Sequence, residues 1–358
     1  MVERDELAGW LRLLETPGTG LSKARALLAQ AGSLEAAVEQ LPAAPEALLA
    51  LIERTWVWLQ ADASRSVLTL ADADYPPALL QTADPPALLY CIGRRELLAE
   101  PMLAIVGSRK PTAQGRDNSE HFARELALAG QTIVSGLALG VDGAAHTGAL
   151  DAPGGRTIAV VGTGLDQIYP RRNDALGRRI CKDGLMLSEY SLGTPPMTAN
   201  FPRRNRIIAG LSDGCLVVEA ALRSGSLITA RLASEAGRDI FAIPGSIHSA
   251  QSRGCHALIR QGAKLVESPA DVLEELPAES PFEPTSGKKA TSDETGFAIP
   301  AAQRRLLGLM GFDPVSLEEL LARGAGTASE VNAWLLELEL AGQVGRLAGQ
   351  LFQRRARG

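Results

Sequence analysis

A short basic segment carries the densest group of anion-binding side chains in the chain. It runs from Phe201 to Arg206 with the sequence FPRRNR, so three of its six residues are arginines. Guanidinium groups donate paired hydrogen bonds to phosphate oxygens, and a neighbouring aromatic ring can stack on a nucleobase. The segment therefore predicts contact with a nucleic-acid backbone. The solvated start of a surface helix has a similar composition and stays open as the alternative.

Small and hydroxyl-bearing residues follow the apolar segments of the middle region. They are Gly107-Ser108-Arg109, Ser135-Gly136, Gly162-Thr163-Gly164, Ser188-Glu189-Tyr190, Val218-Glu219-Ala220 and Pro244-Gly245-Ser246. Glycine lets a backbone approach a ligand closely, hydroxyl groups donate hydrogen bonds, and helix N-termini add N–H groups. If the apolar segments are parallel strands, all six turns lie at one sheet edge and form an anion-binding rim. Tight turns alone would explain any one of them.

The segment Ser224-Gly225-Ser226 resembles the opening of a helix whose backbone amides could face the same rim. We expect Ser226 to be the N-cap, which is compatible with phosphate contact by those amides. Asp142 and His146 lie four residues apart, and we expect a structural hydrogen bond between them, because a metal site would need a third ligand.

Familiar catalytic and nucleotide-binding patterns are missing from the sequence. It has no G-x-x-x-x-G-K-[ST] loop, and Gln167 stands where a dinucleotide fingerprint needs its third glycine. Asp166, Glu189 and Glu219 could act as catalytic carboxylates, but accepting hydrogen bonds from turn amides is the favoured interpretation. We predict no catalytic residue, no metal and no cofactor.

Alternating strands and helices must position these residues. The predicted strands are Leu103–Val106, Thr132–Val134, Thr157–Val161, Leu185–Leu187, Cys215–Val218, Ile240–Ile243 and Lys264–Val266. Helical spacing covers Gly115–Ala129 and Ser226–Gly237, with Gly130 and Gly237 as C-cap glycines. The pattern predicts an α/β fold, a doubly wound, mostly parallel sheet with helices on both faces.

Two flanking regions differ from this middle region. The composition of residues 1–65 predicts a helical domain. Within it, Thr16 to Leu28 resembles a helix-hairpin-helix, but we favour ordinary helix packing over DNA contact for this segment. Residues 66–100 read as an extended lead-in to the sheet. The Pro- and Ser-rich segment 277–299 is predicted to be a linker. The pattern of residues 300–358 predicts a winged helix. Its predicted elements are helices at Gln303–Met310, Ser316–Ala322 and Thr327–Ala341, followed by a β segment at Gln343–Phe352.

Composition places the chain among globular proteins. Of its 358 residues 46% are apolar and 22% charged, and the start, MVERDELAGW, has no basic and apolar leader. Four widely spaced cysteines fit a reducing cytoplasm, and we expect no membrane insertion. The net charge is −5, yet residues 101–276 hold 19 basic and 17 acidic side chains, which leaves room for a local basic groove.

The ordered set of motifs resembles the DNA-processing protein A family (DprA, also called Smf). It comprises Ile105 to Arg109, Ser135 to His146, Gly162 to Asp166 with Tyr169-Pro170, Ser188 to Tyr190, Phe201 to Arg206, Glu219 to Ala230 and Pro244-Gly245, within residues 66–276. The resemblance implies an extended Rossmann-like domain that binds and protects single-stranded DNA. It further implies loading of RecA recombinase during natural transformation, a homodimer formed through this domain, and no enzymatic activity.

The resemblance also implies a DNA-binding set. It consists of Gly107, Ser108, Arg109, Ser135, Gly136, Thr163, Gly164, Phe201, Arg203, Arg204, Asn205, Arg206, Ser224, Gly225, Ser226 and Arg238, with Phe201 as the base-stacking candidate. The third predicted helix of the winged helix carries Glu330, Glu337 and Glu339 and no Lys or Arg, which argues against major-groove binding by that helix.

Two other classes remain as alternatives. An enzyme that hydrolyses the N-glycosidic bond of nucleoside monophosphates would use Gly225, Glu219 and Glu189, but it would not need the basic segment Phe201 to Arg206. A scaffold that recruits recombinase without touching DNA would leave the glycine rim unexplained.

Overall fold

The structure is a computed structural model that describes residues 2–276, 300–347 and 349–355. Its centre is a sheet in the order β1-β2-β6-β5-β4-β3-β7-β8-β9. The strands are β1 (Arg65–Thr69), β2 (Leu88–Gly93), β3 (Met102–Val106), β4 (Thr132–Ser135), β5 (Arg156–Val160), β6 (Leu185–Ser188), β7 (Gly214–Val217), β8 (Asp239–Ala242) and β9 (Lys264–Leu265). The seven strands predicted from apolar segments are all present, and β3 to β9 pair in parallel.

Residues 66–100 differ from the expected extended lead-in. They contain β2 and nearly all of β1, which pair with each other in antiparallel fashion, and β2 continues the sheet by pairing antiparallel to β6. Side chains of β2 alternate between two cores: Leu89 and Cys91 face one side, and Leu88 and Tyr90 face the other. A strand buried on both faces reads as one continuous apolar run, so its pairing direction is hard to predict from sequence.

Helices cover both faces of the sheet, as predicted. They are α1 (Arg4–Glu15), α2 (Gly20–Ala31), α3 (Leu34–Glu39), α4 (Glu46–Gln60), α5 (Pro77–Leu80), α6 (Ala113–Leu128), α7 (Val141–Asp151), α8 (Asp174–Asp183), α9 (Asn200–Leu211), α10 (Ser226–Glu235), α11 (Arg253–Arg260) and α12 (Pro269–Leu273). Helices α5, α9, α10 and α11 pack on one face, whereas α6 and α7 pack on the other. Gly130 and Gly237 follow their helices with φ of 92° and 74°, the left-handed conformation expected of such glycines.

The N-terminal helices share a core with the sheet. Trp10, Leu11 and Trp58 are buried in one cluster with Tyr90 and Met186, and the Trp58 and Tyr90 rings meet edge to face at 6.1 Å. Arg54 of α4 donates a hydrogen bond to the Leu192 carbonyl at 2.5 Å. Helices α1 and α4 are therefore packed on the sheet domain through an apolar interface.

The C-terminal region has the predicted winged-helix order. It contains α13 (Ala301–Met310), β10 (Val315–Ser316), α14 (Leu317–Ala322), α15 (Ala328–Leu340), β11 (Val344–Leu347) and β12 (Leu351–Arg354), with the strands in the order β10-β12-β11. A separate core, which includes Leu306, Leu335 and Phe352, holds it together. The predicted linker, 277–299, lies outside the described residues.

The strand order defines the place where a ligand can enter. The chain runs from β3 to β4 on one side and later returns to β7 on the other side of β3. The loops after β3 and β7 therefore leave the sheet in opposite directions, which opens a crevice at the carboxyl ends of these strands.

Candidate nucleic-acid interface

An open cavity of about 690 Å3 occupies this crevice. The loop after β3, the loop after β7 and the first turns of α9 line it. Of the predicted DNA-binding residues, the cavity brings together Gly107, Ser108, Arg109, Phe201, Arg204, Asn205, Ser224, Gly225 and Ser226. These residues come from three distant parts of the sequence, so the fold assembles a common site from them.

The loop after β3 forms one cationic wall. Arg109 and Lys110 are exposed, and the Ser108 hydroxyl accepts a hydrogen bond from the Lys110 amide at 3.1 Å. Gly107 packs against Val141, and a side chain at this position would collide with it. Gly107 therefore lets the loop pack closely against α7, and Arg109 and Lys110 line the cavity beside it.

Glu219 anchors this wall from below. Its carboxylate accepts hydrogen bonds from the Thr112 amide at 2.9 Å and from the Thr112 hydroxyl at 2.6 Å. The Thr112 hydroxyl in turn accepts from the Gly115 amide and caps α6. Burial raises the pKa of Glu219, opposed by these hydrogen bonds. The carboxylate therefore holds a turn, as the sequence predicted.

Two stacked aromatic rings form a second wall of the cavity. Tyr169 and Phe201 lie with ring centroids 5.7 Å apart and planes 28° apart. The Arg109 guanidinium lies 5.7 Å from the centroid of Phe201, within the range of a cation–π contact. Gly162 provides the space for the Phe201 ring, because a Cβ at Gly162 would come within 3.1 Å of it.

Arg204 lies at the floor of the cavity and is almost fully buried. Its Nη1 donates hydrogen bonds to the carbonyls of Gly136, at 2.6 Å, and Val160, and its Nε donates to Asn205 Oδ1 at 3.0 Å. Burial lowers the pKa of Arg204 to about 10, against the opposing effect of Asp142. Its charge therefore lies beneath the cavity while its donors hold the turns after β4 and β5.

The turn before α10 presents exposed backbone. Gly225 is exposed, and a Cβ added there would meet no atom within 4 Å. The Ser224 and Ser226 hydroxyls lie 2.6 Å apart, and the Ser226 amide donates to Ser224 Oγ at 3.3 Å. The prediction of Ser226 as N-cap was wrong: Ser226 is the first helical residue, because Gly225 before it already has right-handed helical torsions.

Four predicted residues lie in a buried layer under the rim. The Ser135 hydroxyl donates to the Ile105 carbonyl at 2.6 Å, and Gly136 leaves the space that the Arg204 guanidinium fills. Thr163 is buried, and the Gly164 amide donates to the Thr194 carbonyl at 3.0 Å. These residues shape the turns and lie outside the lining of the cavity.

Three predicted arginines point elsewhere. Arg206 pairs with Glu189 and, at 2.8 Å, with Asp84, while Arg203 lies 3.9 Å from Glu189. Arg238 donates to the Ala78 carbonyl at 3.4 Å. The structure does not bring these three side chains into the cavity.

The expected hydrogen bond between Asp142 and His146 was wrong. Asp142 accepts from the Ala138 amide at 3.3 Å. His146 contacts the Thr157 hydroxyl through Nδ1 at 2.7 Å and accepts from the Leu137 amide through Nε2 at 3.3 Å. Helical spacing places the two side chains on one face, but Asp142 bonds to the turn after β4, and His146 bonds to that turn and to Thr157 of β5.

The DNA-binding set predicted from the sequence leaves out two cations and one aromatic residue of the cavity: Lys110, Arg223 and Tyr169. Neighbouring motifs in the sequence could have indicated these residues, because Lys110 follows the Gly-Ser-Arg turn and Arg223 precedes Ser-Gly-Ser. Tyr169 belongs to a Tyr-Pro pair after β5, the third of the predicted strands. Side-chain direction, which decides membership in a site, is a property of the folded loop.

Across residues 2–276, 300–347 and 349–355, no group of three His, Cys, Asp or Glu side chains is placed to hold a metal ion. The four cysteines are free. No helix in these ranges has the length and apolar character needed to cross a membrane.

Fold and site together define a class: an extended Rossmann-like protein with a cationic, aromatic-walled cleft at its switch point and a winged-helix domain. The model of the family "DNA recombination-mediator protein A" matches residues 66–277, and that of the DprA winged helix domain matches residues 288–350. The chain belongs to the DNA recombination-mediator protein A family, whose members are named DprA or Smf.

Relatives agree with this assignment. Protein Smf of Escherichia coli is 43% identical over 302 residues, which are 83% of this chain and 79% of that protein. DNA processing protein DprA of Streptococcus pneumoniae is 52% identical over 208 residues, or 58% of this chain and 73% of that protein.

Two solved structures are similar as well. The S. pneumoniae DprA structure aligns with a TM-score of 0.65 and 39% identity over 77% of this chain and 99% of its own. DprA of Helicobacter pylori, described for a unique single-stranded DNA binding mode, aligns with a TM-score of 0.54 and 36% identity over 60% of this chain and 97% of its own.

Proposed function

We propose that this protein is a recombination mediator that binds single-stranded DNA in the cavity at the carboxyl ends of β3 and β7. The observation that carries the proposal is the convergence of Arg109, Lys110 and Arg223 with the exposed Gly225 backbone around one cavity that has an aromatic wall. Cations and amides bind phosphates, and aromatic rings take up bases. The single-stranded DNA binding described for the H. pylori relative supports the same ligand.

The combination of contacts favours single strands over duplex. The cations and the aromatic rings line the same cavity, so a bound strand must offer a phosphate and an unstacked base together. In a duplex the bases are paired and stacked inside the helix, and only the phosphates are accessible. Binding should therefore tolerate sequence and discriminate against duplex.

The family suggests further steps. We propose that bound single strands are protected and handed to RecA recombinase during natural transformation, that the protein acts as a homodimer through the sheet domain, and that it works in the cytoplasm. We propose no catalytic step. Glu219 and Asp166, two of the three rim carboxylates, accept hydrogen bonds from backbone amides, and Glu189 pairs with Arg206, which supports structural roles for all three.

Equilibrium binding of a labelled oligonucleotide across a salt series tests the proposal. Wild type should bind single strands more tightly than duplex at every salt concentration. Arg109→Ala and Arg223→Ala should weaken binding, and each should flatten the slope of log affinity against log salt by about 0.7, the value for one phosphate contact with a single strand.

Arg178→Ala is the matched control. Arg178 is an exposed arginine of α8 that pairs with Asp174 outside the cavity, so its removal should leave both affinity and slope unchanged. The proposal fails if duplex binds as tightly as single strand, or if Arg109→Ala and Arg223→Ala behave like the control.

A further inference from the structure

A second cavity, of about 810 Å3, lies on the sheet face that α4 and α8 cover. The turn between α4 and β1, the end of β2, the loop after β5 and α8 itself line it, and we call it the α8 cavity. Among the described residues, none lines both this cavity and the DNA cavity. Its volume is that of a pocket for a small organic ligand.

Cations from three elements line the α8 cavity. They are Arg65 of β1, Arg94 directly after β2, and Arg178 and Lys182 of α8. Arg94 Nη1 donates to the Asp183 carbonyl at 3.5 Å, which brings the end of β2 next to the last turn of α8. Burial raises the pKa of Cys181 to about 11, and the charges of Arg178 and Arg65 oppose this rise, so both guanidiniums lie near the thiol. The cationic groups therefore approach the cavity from facing walls.

The acidic groups of the cavity already have partners. Its carboxylates are those of Asp62, Asp166 and Asp174. The first two accept hydrogen bonds from backbone amides at 2.9 Å, and the third pairs with an arginine of α8 at 2.8 Å. In the described part of the chain, neither Arg65 nor Lys182 forms an ion pair. Two cations of the cavity thus lack a counter-charge, which an anionic ligand would supply.

Arg65 is held in place without an acidic partner. Its guanidinium lies 5.2 Å from the centroid of the Trp58 ring, and its Nη1 donates to the Trp58 carbonyl at 3.1 Å. The side chain is half-buried. A charge that is partly removed from water and fixed in this way gains most from a bound anion.

The rest of the lining is apolar and contains two sulfur atoms. Ile92, Ile168 and Met186 line the cavity together with Cys181. Cys181 Sγ and Met186 Sδ lie 4.0 Å apart. Sulfur atoms make favourable contacts with aromatic rings, so this lining suits a flat ring.

We propose that the α8 cavity binds an aromatic phosphate monoester of mononucleotide size, with its phosphate at Arg65, Arg94 and Lys182. Its ring lies on the isoleucines and the two sulfur atoms. A phosphate monoester carries nearly two negative charges at pH 7 and accepts paired hydrogen bonds from guanidiniums, so it matches this group of cations better than a carboxylate does. This site is separate from the binding of single strands.

Modification of Cys181 reports whether the cavity is occupied. Cys181 is partly exposed, whereas the other three cysteines are buried, so methyl methanethiosulfonate should react with it first. Mass spectrometry of the full chain gives the rate. Adenosine monophosphate and phenyl phosphate should slow the reaction about tenfold at ten times their Kd, by mass action. Adenosine and inorganic phosphate at the same concentrations should leave it unchanged, because each lacks one of the two recognised groups.

Two variants remove single charges from the cavity. Lys182 is exposed and makes no ion pair, so Lys182→Ala should fold normally and raise the concentration of adenosine monophosphate that halves the rate by about tenfold. Arg65→Met keeps an apolar stem on Trp58 and should show a similar loss. Arg109→Ala removes a cation of the DNA cavity and is the matched control, with protection equal to that of wild type.

The assignment is overturned if adenosine monophosphate and phenyl phosphate both leave the rate unchanged, or if inorganic phosphate protects as well as they do. It is also overturned if protection in Lys182→Ala and Arg65→Met equals that in wild type, or if Arg109→Ala abolishes it. Protection by both compounds supports recognition of any aromatic phosphate, and protection by adenosine monophosphate alone narrows the class to nucleotides. Failure of single-strand binding would sink the proposed function but would leave these results standing.

Discussion

At the scale of single residues, His146 shows how a buried polar side chain supports the rim. The Thr157 hydroxyl donates to the Ile133 carbonyl at 2.7 Å, so it must accept from His146 Nδ1, and Nε2 is then free to accept from the Leu137 amide. Leu137 has φ of 57°, an uncommon conformation for a leucine. Neutral His146 therefore holds a strained turn next to Gly136.

We predict acid-sensitive stability from His146. Burial, with a smaller effect of Arg204, lowers its pKa to about 3. The unfolded chain binds a proton near pH 6.5 and the folded chain does not, so the stability it contributes is complete above pH 6.5 and is lost as pH falls toward 3. Between pH 6.5 and 5 the loss should be about 2 kcal/mol, measurable by urea unfolding.

His146→Asn separates this effect from other titrations. The variant should be less stable at pH 7, yet it should lose less stability than wild type between pH 7 and 5. Asp142, whose pKa is raised by burial, acts with the opposite sign and is present in both proteins. Equal pH dependence in the two proteins would contradict the role given to His146.

The residue types of the site could be predicted more reliably than their directions. Ser224 to Ser226 and Arg109 lie on the cavity as expected. Thr163 and Ser135 also carry hydroxyl groups, but the Ser135 hydroxyl bonds to a carbonyl within the protein and Thr163 is buried. Hydroxyl groups and glycines serve tight turns and ligands equally well, and only the path of the backbone distinguishes the two uses.

At the scale of elements, α9 divides the basic segment between two environments. Phe201, Arg204 and Asn205 lie on one side of the helix and line the cavity. Arg203 and Arg206 lie on the other side, near Glu189. A period of 3.6 residues produces this division, so a cluster that is dense in the sequence is split in space.

Arg206→Ala should therefore reduce stability more than DNA affinity. The side chains of Arg206 and Glu189 are only 13% and 11% exposed, and Asp84 joins them to Arg25 of α2. Removing Arg206 leaves the mostly buried Glu189 carboxylate with only the 3.9 Å contact to Arg203, which should cost roughly 3 kcal/mol of unfolding free energy. Chemical denaturation measures this, and binding of the folded variant should keep the wild-type salt slope.

The double variant Arg206→Met with Glu189→Gln is the control. It removes the poorly paired Glu189 carboxylate as well, so much of the lost stability should return. A flattened salt slope in Arg206→Ala at unchanged stability would instead place Arg206 on the DNA, as the sequence analysis expected.

Element type and order were predictable because the middle region has apolar strands and helices of strong periodicity. The antiparallel addition of β1 and β2 was not, since their runs are short and buried on both faces. The packing of α1 and α4 on the sheet could not be predicted from the sequence either. Their apolar faces predict burial but do not name the partner, which is the face of the sheet that carries Tyr90.

At the scale of the whole molecule, the described chain contains two structural units with different kinds of contact. The N-terminal helices and the sheet domain share apolar cores, whereas the winged helix has a core of its own. Between the winged helix and α6 lie polar contacts, a hydrogen bond from the Gln114 amide to Gln353 at 3.2 Å and an ion pair of Arg355 with Asp117 at 3.5 Å. The ion pair, whose side chains are 40% and 32% exposed, contributes about 0 to 1 kcal/mol, and the part-buried hydrogen bond contributes about 1 kcal/mol. Together they are too weak to couple two folding units.

We therefore predict two unfolding transitions, one for the residues up to 276 and one for the winged helix. Trp58→Ala opens a cavity in the core shared with Tyr90 and should lower only the first, by about 3 to 5 kcal/mol. Leu335→Ala should lower only the second, by about 2 to 5 kcal/mol. Urea unfolding resolves the two transitions when it is followed by two signals. Circular dichroism reports on both units, and tryptophan fluorescence in a Trp334→Phe background reports on α1 and α4 alone. A single transition shifted by both substitutions would show that the polar contacts with α6 couple the units, and the winged helix would then be a fixed part of the sheet domain.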